Sequence, residues 1–139
     1  MEIVYTAIAH ATGGGRDGHV RSEDDRLDFD TRLPKELGGS GEGTNPEQLF
    51  AAGYSADFLS AIHSVARRLQ VDTTGAEVSA SVGVAPDGEG GLVLAVELDV
   101  YTPNVPEERR AELVGAADEV CPYSNATRGN IEVTLTLVD

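Results

Sequence analysis

Hydrophobic and polar positions alternate near the start of the chain. IVYTAIAHA, residues 3–11, interleaves bulky and small side chains, and RLDFDTRL, residues 26–33, sets Leu27, Phe29, Thr31 and Leu33 against Arg26, Asp28, Asp30 and Arg32. A period of two sends successive side chains to opposite faces, so both segments are predicted as half-buried strands. TGGGRDG between them reads as a glycine-rich turn, and PKELGGSGEGT after them as a loop.

The period then changes. NPEQ opens a helix, with Asn45 able to cap it, Pro46 suited to the first helical position and Gln48 three residues after the cap. The helix is predicted to run to about Leu69. It carries Phe50, Tyr54, Ala61 and Val65, with Ala51, Ala52, Gly53, Ser55 and Ala56 clustered near its centre. Small residues let another backbone come close, and apolar character on more than one side implies burial between layers or against a second subunit. A homodimer is the expectation.

EVSASVGVA and LVLAVELDVY alternate again around PDGEGG, whose glycines permit a hairpin. From about Pro106 to Val120, Leu113, Val114 and Ala117 recur at helical spacing, with Glu107 and Glu108 at the positive end of the dipole. Cys121 continues that series, and Pro122 discourages further helix. IEVTLTLV alternates as a last strand. Strands, long helix, hairpin, helix and strand make an α+β domain, and 139 residues suit one domain spanning 1–139.

Charge narrows the class of partner. A formal net charge of −14 and a pI near 4.4 disfavour phosphate backbones and anionic membranes. Neither nucleic acid nor membrane is expected as a partner, and with no basic leader the location expected is cytoplasmic. A single cysteine, Cys121, excludes an intramolecular disulfide and a thiolate-rich metal site. His10, His19 and His63 match no metal-ligand spacing, and TGGGRDG lacks the Lys-Ser/Thr ending of a phosphate loop. No metal or bound cofactor is expected.

Asp57 is the outlier. Helical spacing puts Phe50, Gly53, Tyr54, Ala61 and Ser64 on its face, where a carboxylate is costly unless a cation or donors meet it. Two readings follow: Asp57 sits at the solvent edge of the stripe, or it pairs with a cation from elsewhere in the fold.

ATGGGRDGHV, LPKELGG followed by GTNPEQLFAAGYSA, and CPYSNATRGN, in that order, resemble the organic hydroperoxide resistance proteins, the Ohr branch of the OsmC-like family. The likeness runs from Tyr5 to Val138. It implies an OsmC-like fold, with antiparallel sheets packed around a long central helix in an intertwined homodimer. It also implies a thiol-dependent peroxidase for organic hydroperoxides, including those of fatty acids. The reductant would be an external dithiol, typically dihydrolipoyl groups on lipoylated proteins.

Carried over by position, the family's loop arginine falls on Arg16, the glutamate of NPEQ on Glu47 and the resolving cysteine on Cys121. The peroxide-attacking cysteine falls on Asp57. A guanidinium favours a thiolate nucleophile and Glu47 would hold that guanidinium by a bidentate contact, while the second thiol captures the sulfenic acid. Disulfide geometry requires Cα atoms within about 7 Å, so Asp57 and Cys121 should be neighbours. Glu47 and Asp57 lie about 15 Å apart along an unbroken helix. Either the helix breaks near Gly53, or each site takes Glu47 from one subunit and residue 57 from the other.

A carboxylate cannot pass through a sulfenic acid, so the chain as written is predicted to be nearly inactive as a peroxidase. Asp57 is then a replacement in a working scaffold, or the chain is a natural relative that binds lipid-like hydroperoxides or fatty acids without turnover. A hydrolase using Asp57 as nucleophile lacks a base, because His63 lies about 240° around the helix.

Overall fold

The computed structural model describes residues Met1–Asp139, which group into two compact units, Met1–Leu49 and Phe50–Asp139. The boundary falls inside a helix. No helix is long and apolar enough to cross a membrane.

The first unit is a meander of three antiparallel strands, β1 (Ala9–Gly13), β2 (Gly18–Ser22) and β3 (Asp28–Thr31). β1 overlaps only the end of the strand predicted over 3–11, at residues 9–11; residues 1–8 are in no regular element, and β1 is exposed throughout. The cause is a partner that periodicity does not reveal. GHVRS offers only Val20 as a bulky apolar residue, yet the turn at Gly14–Asp17 pairs Gly13 with Gly18 and fixes the register of both strands. β3 lies within the predicted 26–33, and its Thr31 is buried.

The long helix α1 runs unbroken from Pro46 to Leu69, so it is not interrupted at Gly53. Asn45 caps it, with the Gln48 N–H donating to Asn45 Oδ1 at 2.9 Å. Gln70 follows with φ 57°, a left-handed conformation that ends the helix.

In the second unit β4 (Glu77–Pro86) and β5 (Leu92–Tyr101) form the predicted hairpin. Helices α2 (Glu107–Val120) and α3 (Pro122–Thr127) then carry the chain to β6 (Glu132–Val138). The sheet order is β4-β5-β6. β6 pairs with β5 in parallel, so this sheet is mixed and not antiparallel throughout. A parallel neighbour needs a crossover, which residues 102–131 supply through two helices.

The core joins three periodic faces. Tyr54, Phe58, Ile62 and Val65 come from α1, Val96, Leu98 and Val100 from β5, and Leu113, Val114 and Ala117 from α2. Burial of each large side chain contributes about 1.5–3 kcal/mol. This packing sets the stretch of α1 around Asp57 against the joint between α2 and α3.

Candidate functional site

The predicted site residues gather in two places. In the first unit, the β1–β2 turn projects Arg16, and the first turn of α1 presents Glu47. Arg16 Nη1 donates to Glu47 Oε2 at 2.9 Å and Nη2 to Oε1 at 2.5 Å, two parallel bonds between planar groups. The bonds from Arg16 hold Glu47 below the usual carboxylate range, and Glu47 raises the guanidinium in turn. The turn is itself pinned: Thr31 Oγ1 donates to the Gly15 carbonyl at 2.6 Å and accepts from the Gly18 N–H at 3.0 Å. Arg16 is therefore a held arginine and not an ordinary solvated one.

In the second unit, Asp57 and Cys121, 64 positions apart, meet. Asp57 is half-buried on α1, and Cys121 is fully buried at the joint of α2 and α3, its N–H bonded to the Ala117 carbonyl. The Cys121 thiol donates to Asp57 Oδ2 at 3.2 Å, and the Tyr123 N–H donates to the same oxygen at 3.2 Å. Asp57 thus takes donors from elsewhere in the fold instead of lying at the solvent edge, and no cation of its own unit pairs with it. Burial pushes the Cys121 thiol up, and Asp57 adds to the rise through its hydrogen bond and its charge. The Ser124 N–H and hydroxyl pull the other way.

The pattern of the sequence did not single out the groups behind this contact. Tyr54 is fully buried, its hydroxyl 2.8 Å from Ser124 Oγ and 3.2 Å from Thr127 Oγ1, which ties α3 to α1. Tyr123 packs edge-on to Phe50 and tilted against Tyr54. A signal was present: Tyr54 lies on the buried stripe, and a buried phenol needs a polar partner. Nothing in the sequence says that Ser124 and Thr127 supply it.

The histidines have other partners. His63 Nδ1 lies 2.8 Å from Thr73 Oγ1, and His19 sits between Asp28 and Asp30 on the exposed face of the first sheet.

Along α1, ten residues of continuous helix separate Glu47 from Asp57, about 15 Å at 1.5 Å per residue.

Comparison with known proteins adds the family. The model of the OsmC-like protein family matches residues 39–136. An organic hydroperoxide resistance protein of Xanthomonas axonopodis pv. citri (strain 306) is 49% identical over 138 residues, covering 98% of this chain and 96% of the relative. The crystal structure of an organic hydroperoxide resistance protein OsmC from Legionella pneumophila superposes with a TM-score of 0.94 at 43% identity, covering 99% of this chain and all of that one. A structure of a putative organic hydroperoxide resistance protein from Vibrio cholerae, with captopril bound in one of its active sites, has a TM-score of 0.92 and 46% identity. It covers 99% of this chain and 94% of that chain.

Proposed function

The chain belongs to the OsmC-like family, among its organic hydroperoxide resistance proteins, and from that membership we propose that its scaffold serves thiol-dependent reduction of organic hydroperoxides with a dithiol as reductant. We further propose that Asp57 disables that reaction in this chain. The observation that carries the second point is the 3.2 Å contact from the Cys121 thiol to Asp57 Oδ2.

The chemistry defines what is missing. A thiolate at position 57 would attack one peroxide oxygen, forming an S–O bond as the O–O bond breaks, and the departing alkoxide would take a proton to become the alcohol. The sulfenic acid would condense with the Cys121 thiol, releasing water and forming a disulfide, which a dithiol reduces by exchange. Asp57 offers no sulfur for the first step. It also places a carboxylate against the remaining thiol, which disfavours the thiolate that would have to act in its stead.

The held Arg16–Glu47 pair suits a site that places positive charge and hydrogen-bond donors on a peroxide. Because α1 is unbroken, we read each complete site as the Arg16–Glu47 pair of one subunit beside residue 57 and Cys121 of a second copy. The exposed apolar residues Ile3, Val4 and Tyr5 in the N-terminal segment support a dimer.

The test is consumption of cumene hydroperoxide with dihydrolipoamide, comparing the chain with its Asp57→Cys variant. Rapid turnover by the variant and none by the unmodified chain is the expected result. Turnover by the unmodified chain, lost in Cys121→Ser, would show that Cys121 acts alone and that Asp57 is no block.

The ring of Phe50 beside the partly exposed Tyr123 favours a second reading, in which the chain binds lipid-like hydroperoxides or fatty acids without consuming them. Saturable calorimetric binding of a fatty acid, with both the chain and Asp57→Cys inert toward peroxide, would favour it over the first.

A further inference from the structure

Tyr123 has no part in the chemistry above, yet it lies at the contact between Asp57 and Cys121. Its backbone N–H donates to the same Asp57 oxygen that accepts the Cys121 thiol. It lies in the first turn of α3, where backbone N–H groups have no partner inside the helix. The Tyr123 N–H is met by Asp57 Oδ2 and not by the side chain at the cap position, Cys121. A carboxylate from α1 therefore does the work of a cap, and the Tyr123 peptide helps to fix where its Oδ2 lies.

The ring is packed closely against α1. The Tyr123 hydroxyl lies over Gly53, where an added Cβ would come 2.5 Å from Oη, 3.0 Å from Cζ and 3.2 Å from Cε2. Inside a helix glycine costs about 1 kcal/mol relative to alanine. Gly53 is not among the residues with positive φ, so the backbone does not require glycine there; the space does. Phe50 at 6.0 Å and Tyr54 at 5.6 Å, centroid to centroid, hold the ring from two further sides.

We propose that Tyr123 is a positioning residue that holds the Asp57 carboxylate on the Cys121 thiol, and that the absent side chain at Gly53 admits it. This rests on the reading of Asp57 as the group that silences the thiol. Asp57, from α1, is the charged group facing Cys121, while Ser124 of α3 meets it with an N–H and a hydroxyl. With the ring displaced, Oδ2 loses one of its two donors and the carboxylate turns toward water. The thiol then loses its acceptor and the adjacent negative charge together, and ionises at lower pH.

The experiment is alkylation of Cys121 by iodoacetamide across a pH range, on chains shown to be folded by circular dichroism. Easier access scales the rate at every pH, whereas altered ionisation moves the midpoint, so the midpoint is the readout. Gly53→Ala is expected to move it down toward the ordinary thiol value of about 8.5 and to speed alkylation below it roughly tenfold. Tyr123→Phe, which keeps ring and peptide, should retain the high midpoint. A folded Gly53→Ala chain with an unmoved midpoint overturns the proposal. Should that variant not fold, Tyr123→Ala removes the ring without crowding α1, and an unmoved midpoint there is equally fatal. Asp57→Asn separates the two readings. A midpoint that moves in Asp57→Asn but not in Gly53→Ala sinks the role of Tyr123 alone, and one that stays in Asp57→Asn sinks the reading of Asp57.

Discussion

Arg16 and Glu47 face each other as two planar groups, with Nη1 2.9 Å from Oε2 and Nη2 2.5 Å from Oε1. Lysine carries the same charge but has no fork to match a carboxylate. In the Asp57→Cys background, Arg16→Lys is therefore expected to lower turnover of cumene hydroperoxide on the order of 10²-fold, the usual scale for a misplaced positioning group. Loss of no more than twofold would show that charge alone suffices.

The same pair sets an acid limit. Glu47 is depressed in the fold by the hydrogen bonds from Arg16, so its contribution is present above the unfolded carboxylate range and is lost as pH falls through the folded value. Urea midpoints measured from pH 6 downward should fall less steeply in Glu47→Gln than in the parent. Identical slopes would refute the linkage.

His19 carries the opposite sign. Its Nδ1 lies 2.8 Å from Asp30 Oδ1 and its Nε2 2.6 Å from Asp28 Oδ1, and only the imidazolium has a proton for each. Asp30 and then Asp28 raise it, so the stabilisation is complete below the unfolded pKa and disappears as pH rises through the folded one. Titration followed by NMR should place His19 above the ordinary histidine value of about 6.5, and Asp30→Asn should bring it down. A His19 that titrates at the ordinary value in the parent would contradict the geometry.

Tyr54→Phe deletes a buried hydroxyl shared by Ser124 and Thr127. The loss expected from chemical denaturation is about 1–2 kcal/mol. If the contact fixes α3, the new heterogeneity in an NMR spectrum should centre on residues 121–128.

Phe58 is fully buried in the core of the second unit. Phe58→Ala should cost about 3–5 kcal/mol. The exposed Leu92→Ala, at the far end of the β4–β5 hairpin, is the control, expected within about 0.5 kcal/mol.

Legibility followed period and locality. The cap at Asn45, the helix to Leu69 and the hairpin around PDGEGG were readable, because each is decided by residues close together in the chain. β2 was not: with only Val20 as a bulky apolar residue, GHVRS is a strand because the turn before it holds it against β1. Among the candidate site residues, Arg16, Glu47, Asp57 and Cys121 were picked out by their positions in the family's motifs. Gly53 looked like one small residue among several, and Tyr123 like part of a motif. Their relation depends on how closely α3 approaches α1, which no spacing encodes.

The parallel pairing of β6 with β5 also orders events in time. β4 and β5 are joined by a short turn and can zip together within microseconds, whereas β6 must wait until residues 102–131 have wound into two helices. During that interval one edge of β5, the strand that supplies Val96, Leu98 and Val100 to the core, stands open to other chains. Glu97 and Asp99 alternate with those residues on the opposite face. Until β6 arrives, Glu97 and Asp99 keep that open strand charged on one face.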